Sequence, residues 1–81
     1  MSQIASILKE LEKIFSMYSS DLTSLDQNFV KDQILDSFSI ISFITEVENS
    51  FGVTLSSSDL ISEEAHSLAG LSNIIFLKLK G

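Results

Sequence analysis

The chain has no cysteine and no proline, and its 81 residues include only three glycines. Without cysteine it can form neither a disulfide framework nor a thiolate metal site, so the fold must depend on packing alone. The lack of proline leaves the helix boundaries to be read from caps and hydrophobic periodicity. A chain without disulfides fits a reducing compartment, and we expect a cytoplasmic protein.

Positive charge and long apolar runs are also scarce. All five cationic residues are lysines, against 11 acidic residues, and the net charge is −6. Nucleic-acid phosphates would be repelled, so we expect no nucleic-acid partner and regard basic proteins as the natural ones. The apolar runs are far shorter than the roughly 20 residues of a membrane span, and the start of the chain lacks a signal peptide's apolar segment. We expect a freestanding, monomeric single domain over residues 1–81.

Hydrophobic periodicity predicts an all-α fold. Helices are expected over about 3–18, 37–51, 57–62 and 67–79, with a loop over 19–36. A loop of this length is unusual in a small domain unless it is anchored, and four apolar side chains can pack it across the bundle: Leu22, Leu25, Phe29 and Val30. Gly52 can cap helix 2, whereas Gly70 costs helix 4 about 1 kcal/mol relative to alanine and predicts a frayed first turn.

Ser37 marks the point where the loop becomes helix 2. On a helical wheel, a stripe about 100° wide collects the residues expected to face the core: Ile40, Phe43, Ile44, Val47 and Phe51. Five others are predicted to face away: Ser37, Phe38, Ile41, Thr45 and Glu48. Asp36 can accept from the unpaired N–H groups of the helix, whose dipole favours an anion by about 0.3–2 kcal/mol. The serine hydroxyl is therefore predicted to point to solvent where a phosphate would be stabilised.

Asp36-Ser37-Phe38 resembles the Asp-Ser-Leu attachment motif of acyl and peptidyl carrier proteins, with Phe in the Leu position as in the D-alanyl carrier branch. The family's order and spacing continue along the chain at Leu25-Asp26, Phe29-Val30, Glu46 to Leu55, Asp59-Leu60 and Ser67-Leu68. The resemblance covers nearly all 81 residues, and this spacing makes the tripeptide a specific signal. One departure is Gln33, where many family members carry glycine.

The resemblance implies a four-helix acyl-carrier-type bundle with a long loop between helices 1 and 2, a short helix 3 and no catalysis of its own. Ser37 would bear 4′-phosphopantetheine, transferred from coenzyme A by a phosphopantetheinyl transferase, and Asp36 would support the helix start. An acyl- or aminoacyl-loading ligase would charge the arm, and a downstream synthase or transferase would take the load as an acyl group. The resemblance also implies the residues that partner enzymes recognise: Phe38, Ile41, Thr45 and Glu48.

Two kinds of load fit the residues. An aminoacyl group is favoured by Phe38 and by the six phenylalanines, whose bulk predicts a tightly filled interior. A fatty-acyl or polyketide group is favoured by the acidity and the general family pattern. Helix 2 carries uncharged Ser42, Thr45, Asn49 and Ser50 where typical fatty-acid carriers are more acidic, which weakens electrostatic steering and favours a specialised pathway.

Other classes of function find less support in the residues. Nucleophilic catalysis at Ser37 needs a base within hydrogen-bond reach, and the single histidine, His66, lies in an acidic polar segment. The pairs Glu63-Glu64 and Glu46/Glu48 lack metal-ligand spacing, so no metal site is predicted. The alternative from another class is a helical interaction module that uses Phe38 and Ile41 as a binding patch and never carries a prosthetic group.

Overall fold

The structure is a computed structural model that describes residues 3–80, in which the regular elements are helices and there is no β-strand. Helix α1 spans Gln3–Phe15, α2 spans Ser37–Phe51, α3 spans Ser57–Ile61 and α4 spans Leu68–Lys80, with a 3₁₀ turn at Glu63–His66. The predicted all-α fold with a long loop before helix 2 and a short helix 3 is confirmed. The two ends of the predicted domain, Met1-Ser2 and Gly81, lie outside the described residues. No helix within 3–80 is long and apolar enough to cross a membrane.

Helices α1 and α4 pack against each other and supply much of the core. The buried side chains of α1 recur at three- and four-residue intervals: Ile7, Leu11, Ile14 and Phe15. The buried side chains of α4 are aliphatic apart from one serine: Leu68, Leu71, Ser72, Ile74 and Ile75. Helix α1 ends three residues before the predicted boundary because the Met17 and Tyr18 N–H groups bond carbonyls three residues back. This tighter turn is a common way to close an α-helix.

Three aromatic rings hold the long loop between α1 and α2. Phe29 is almost fully buried, and its ring centroid lies 5.3 Å from that of Phe15 in α1 and 5.7 Å from that of Phe43 in α2. The Phe15 and Phe43 centroids are themselves 5.3 Å apart. Each pair is tilted or edge-on, the geometry that aromatic quadrupoles favour. The three rings come from α1, the loop and α2, and their packing therefore fixes the position at which the loop joins α2.

The loop backbone is also fastened to the region where α4 begins. The Phe29 N–H donates to the His66 carbonyl, and the Ala69 N–H donates to the Leu25 carbonyl, both at 2.9 Å. The side chains expected to anchor the loop are buried or half-buried against the core: Leu22, Leu25, Phe29 and Val30. The loop is therefore packed into the bundle rather than lying over its surface.

Helix α2 ends at Gly52, which has φ 66° and ψ 32° and donates its N–H to the Glu48 carbonyl at 2.8 Å. Glycine adopts this left-handed conformation without a Cβ clash. The connector returns Leu55 to the core, and α3 then begins with a capping box formed by Ser56 and Asp59. Helix α3 itself contributes no fully buried side chain.

Gly70 in the first turn of α4 has a packing role that its helix propensity does not predict. A Cβ at this position would collide with the carbonyl oxygen of Glu64 in the 3₁₀ turn. The same helical turn, which was expected to fray, has bonded N–H groups: Gly70 donates to the Ser67 hydroxyl at 3.1 Å and Leu71 to the Ser67 carbonyl at 2.9 Å. The glycine thus lets the 3₁₀ turn lie directly against α4.

Candidate functional site at the start of helix α2

Ser37 is the first residue of α2, and its side chain is exposed. The residue before it, Asp36, has an extended backbone, and its carboxylate accepts a hydrogen bond from the Ser39 N–H at 2.7 Å. This bond, together with a weaker one from the Ser39 side chain, lowers the pKa of Asp36 below its ordinary value. The predicted cap is confirmed, and the ionised carboxylate fixes the helix start at the serine.

Gln33 adopts a backbone conformation that usually requires glycine. Its φ is 56°, in the left-handed region where a residue with a Cβ is disfavoured by about 1–2 kcal/mol. Its N–H donates to the Val30 carbonyl at 3.1 Å, which closes the turn that leads to the site. Gln33, where many family members carry glycine, therefore still forms the turn, but its backbone is strained.

A groove of about 410 Å³ lies beside Ser37. We call it the Ser37 groove, and it is lined by residues from the loop and from the first turns of α2: Val30, Gln33, Leu35, Asp36, Ser37 and Ile40. Its lining combines three aliphatic side chains with the polar side chains of Gln33, Asp36 and Ser37. A chemical group attached to the Ser37 oxygen would therefore start at the edge of this groove.

Two large apolar side chains near Ser37 point to solvent. Phe38 is 79% exposed and Ile41 is 67% exposed. Thr45, one helical turn further, is also exposed, but its hydroxyl donates to the Ile41 carbonyl at 2.9 Å. Large apolar residues exposed side by side on a helix form a surface that a partner can cover.

Glu48 is placed differently from the wheel expectation. Its side chain is half-buried instead of facing fully away from the core. Its carboxylate accepts a hydrogen bond from the Leu55 N–H at 2.8 Å. The carboxylate therefore braces the connector between α2 and α3, a structural role that sequence reasoning missed because Leu55 is seven residues away.

An apolar cleft of about 350 Å³ opens between α2 and the α3 region. We call it the α2–α3 cleft, and its lining comes from the loop, α2, α3 and the 3₁₀ turn: Phe29, Val30, Ile40, Ile41, Ile44, Thr45, Leu60, Ala65 and His66. The cleft opens at the surface, and the core behind it is closely packed, with Phe15, Phe29 and Phe43 each no more than 2% exposed. Three of the six phenylalanines are buried in the core, yet they pack behind this cleft rather than filling it. No local sequence pattern could reveal a cavity whose walls come from four segments.

Negative charge is concentrated on this part of the chain. Between Lys31 and Lys78 there is no cationic lysine or arginine, and the stretch carries seven carboxylates: Asp32, Asp36, Glu46, Glu48, Asp59, Glu63 and Glu64. Ile61 of α3, which the sequence did not single out, adds a third apolar side chain with 78% exposure. The α2–α3 side therefore combines exposed apolar groups with an acidic surround.

His66 has a structural role within the described chain. Its Nε2 lies 2.8 Å from the Leu60 carbonyl, and its own carbonyl accepts from the Phe29 N–H. The ring therefore ties the 3₁₀ turn to α3. Within residues 3–80, no three histidine, aspartate or glutamate side chains are grouped closely enough to hold a metal ion.

The geometry defines a small helical protein with an exposed serine at the positive end of its second helix. Residues 2–75 match the family described as Phosphopantetheine attachment site. The chain therefore belongs to the phosphopantetheine-binding family of acyl and peptidyl carrier proteins, in which 4′-phosphopantetheine is attached covalently to a serine. Neither the curated proteins nor the solved structures gave a match.

The residues around Ser37 fit this prosthetic group. The hydroxyl is exposed, so an enzyme can reach it, and the helix start favours the negative charge of a phosphodiester. The lining of the Ser37 groove would offer both polar and apolar contacts to an arm attached at this oxygen.

Proposed function

We propose that Ser37 is the attachment residue for 4′-phosphopantetheine and that this chain delivers an acyl or aminoacyl group to partner enzymes in a specialised biosynthetic pathway. The observation that carries the proposal is the exposed Ser37 hydroxyl at the start of α2, in a chain that matches the family over residues 2–75. A cytoplasmic location, where coenzyme A is available, belongs to the same proposal.

The chain acts as a substrate in the attachment step and supplies no catalytic base of its own. The Ser37 oxygen forms a bond to the phosphorus of coenzyme A that carries the pantetheine, while its O–H bond and the phosphoanhydride bond to adenosine bisphosphate break. The proton passes to a base of the phosphopantetheinyl transferase, which also binds Mg²⁺. When bound, the arm supplies a terminal thiol that holds the load as a thioester.

The rest of the chain positions and presents this group. Asp36 holds the helix start, so the Ser37 oxygen stays at the surface. A tether of this kind raises the effective concentration of the load at each docked enzyme, so delivery does not depend on diffusion of the free load. The domain needs no substrate pocket of its own for this task.

Partner enzymes are proposed to dock on the exposed face formed by Phe38, Ile41 and Thr45. The apolar pair supplies contact area, and the seven carboxylates between Lys31 and Lys78 favour a basic partner surface. Glu48 contributes charge to this face while its carboxylate remains bonded to the Leu55 N–H. A loading ligase and a downstream synthase or transferase would meet the same face in turn.

Intact-mass measurement tests the attachment site. The protein is incubated with coenzyme A, Mg²⁺ and a promiscuous phosphopantetheinyl transferase, and we expect the mass of one phosphopantetheinyl group to be added. Ser37→Ala should abolish the addition. Ser57→Ala is the matched control, because Ser57 is also an exposed serine at the first position of a helix, and this variant should be modified as the unchanged protein is.

Two results would overturn the proposal. An unchanged mass for the wild-type chain would leave a helical interaction module that uses the same apolar patch without a prosthetic group. A mass gain that persists in Ser37→Ala would move the attachment to another residue.

The rate at which the transferase attaches the arm tests the proposed docking face. Ile41→Asp places a charge in the proposed contact and should reduce kcat/KM of the transferase about tenfold or more, the effect of losing about 1.4 kcal/mol. Leu77→Asp, at a similarly exposed position on α4, should stay within about twofold. Equal losses in both variants would refute the assignment of the face.

A further inference from the structure

Gln33 lines the Ser37 groove, and its side chain is exposed. The turn that it forms is closed by its backbone N–H, which donates to the Val30 carbonyl at 3.1 Å. Glycine would supply the same N–H and would adopt the φ of 56° without strain. The turn therefore does not need a glutamine side chain. Residues held in strained backbone regions concentrate at functional sites, so the side chain itself is the part to explain.

The side-chain amide of Gln33 makes no hydrogen bond within residues 3–80, in contrast to that of the other glutamine in the loop. Gln27 uses both amide atoms to hold the loop together. Its Oε1 accepts from the Thr23 N–H at 2.8 Å, and its Nε2 donates to the Asp32 carboxylate at 3.2 Å. The Gln33 amide thus keeps its full hydrogen-bonding capacity for a ligand in the groove.

Once an arm is attached, Gln33 is the one side-chain hydrogen-bond donor among the residues that line the Ser37 groove. The Asp36 carboxylate has a pKa below its ordinary value, because it accepts from the Ser39 N–H, and it is therefore an acceptor. The Ser37 oxygen loses its proton when it is esterified. The remaining lining residues are aliphatic: Val30, Leu35 and Ile40.

A phosphodiester on Ser37 has the chemistry that this donor requires. It carries oxygen acceptors and one negative charge, and it would stand beside the ionised Asp36 carboxylate, which repels it. The helix start offsets part of this repulsion, and an amide N–H in the same groove offsets more, since hydrogen bonds with one charged partner are the stronger kind. The groove volume of about 410 Å³ leaves room for the phosphate and the atoms that follow it.

We infer that Gln33 is a positioning residue for the prosthetic group, and that its side-chain amide donates a hydrogen bond to a phosphate oxygen of the arm in the Ser37 groove. The inference rests on the proposed function, since it assumes an arm on Ser37. The bond restrains the base of the arm, while the thiol end with its load stays free to reach partner enzymes.

The side-chain amide signals of the two loop glutamines test the contact by NMR. Isotope-labelled protein is measured before and after attachment of the arm, and intact mass verifies complete loading. The Gln33 Nε2 proton signals should move downfield, and their exchange with water should slow several-fold. The Gln27 signals are the internal control and should not move, because that amide is already bonded within the loop.

A set of variants separates contact with the arm from a role in the fold. Gln33→Met keeps the length of the side chain but has no amide, so the Tm of the loaded form relative to the unloaded form should fall by about 2–4 °C compared with wild type. Gln33→Glu replaces the donor by a second carboxylate and should lower this difference further. Gln27→Met, at the other loop glutamine, should change both forms equally and leave the difference as in wild type.

The two failures are distinguishable. Absence of any mass gain in the wild-type chain would overturn the proposed function. Complete loading with unmoved Gln33 signals, or with the same Tm difference in Gln33→Met as in wild type, would overturn this inference and leave the carrier function standing.

Discussion

The α1–α4 pair and the α3 region are held in place by different kinds of contact. Helices α1 and α4 bury aliphatic side chains along their lengths, whereas α3 buries none completely. Helix α3 is held by the half-buried Leu60, by the bond between His66 and the Leu60 carbonyl, and by the ion pair of Lys78 with Asp59 at 2.9 Å. Because buried apolar area stabilises a fold, we expect α1 and α4 to contribute more to the free energy of unfolding than α3.

Helix α2 joins the two regions. It buries Phe43, Ile44 and Val47 in the scaffold core and presents Phe38 and Ile41 to solvent. A change on the buried face should therefore unfold the protein, whereas a change on the exposed face should alter partner binding alone.

The largest effect is expected for a core truncation compared with a surface truncation. Leu11→Ala in α1 removes a fully buried side chain and should lower the free energy of unfolding by about 2–5 kcal/mol, through lost burial and a residual cavity. Ile61→Ala in α3 removes an exposed one and should stay within about 0.5 kcal/mol. Urea unfolding followed by circular dichroism measures both. A loss in Ile61→Ala comparable to that of Leu11→Ala would contradict the separation.

Gly70→Ala tests the contact where the 3₁₀ turn meets α4. Helix propensity alone predicts a gain of about 1 kcal/mol, whereas the collision of the new Cβ with the Glu64 carbonyl predicts a loss of about 1–3 kcal/mol. The two arguments differ in sign, so the thermal midpoint decides between them. Ala69→Gly is the control for propensity at the neighbouring position, and a rise in Tm for Gly70→Ala would refute the close approach.

Gln33 and Gly52, which flank α2, both have a positive φ. Substitutions at the two positions should change the stability of the fold in opposite directions. Gln33→Gly relieves a strained φ of 56° and should stabilise the fold by about 0.5–1 kcal/mol, although the flexible unfolded chain offsets part of the gain. Gly52→Ala introduces a Cβ at φ 66° and should destabilise it by about 1 kcal/mol, even though no atom lies near the new methyl group. Denaturant midpoints check both signs. A destabilised Gln33→Gly would mean that the glutamine side chain contributes more than its backbone strain costs.

The smallest effect concerns the tether of α3 and its dependence on pH. Lys78, with help from the Ser56 cap, lowers the pKa of Asp59 to about 2. The unfolded carboxyl titrates near about 3.9, so the stabilisation is fully present above that pH and is lost as the pH falls from about 4 to about 2. Lys78→Met should reduce this pH dependence. Lys80→Met makes the same charge change in the last turn of the same helix and should leave the pH dependence unchanged. Unfolding midpoints at pH 7, 4 and 2.5 measure it, and identical profiles for the two variants would rule out the ion pair.

The sequence predicted the regular parts of the fold because their signals are local. The apolar period of α1, the Asp36 cap and the Gly52 cap each depend on residues within one or two helical turns. The exposure of Phe38 and Ile41 followed from the same period, since both lie outside the stripe that faces the core. The function of these residues as a docking face stays a prediction.

The parts that sequence reasoning missed depend on distant contacts. The recognition of Glu48 by a partner stays a prediction, but the bond from the Leu55 N–H to its carboxylate across the connector could not be foreseen from its position on α2. From helix propensity, Gly70 was expected to weaken α4. In the structure, its lack of a Cβ allows the Glu64 carbonyl to lie against the helix. His66 was a polar loop residue in the sequence and is a tether between the 3₁₀ turn and α3 in the structure.

The helices and the serine at the start of α2 could be predicted from the sequence, because helical period and capping act between near neighbours. The apolar cleft between α2 and α3, which Phe29 of the aromatic cluster lines, could be found from the packed structure alone. The walls of the cleft come from the loop, α2, α3 and the 3₁₀ turn, and a cavity is the space left after such segments have packed.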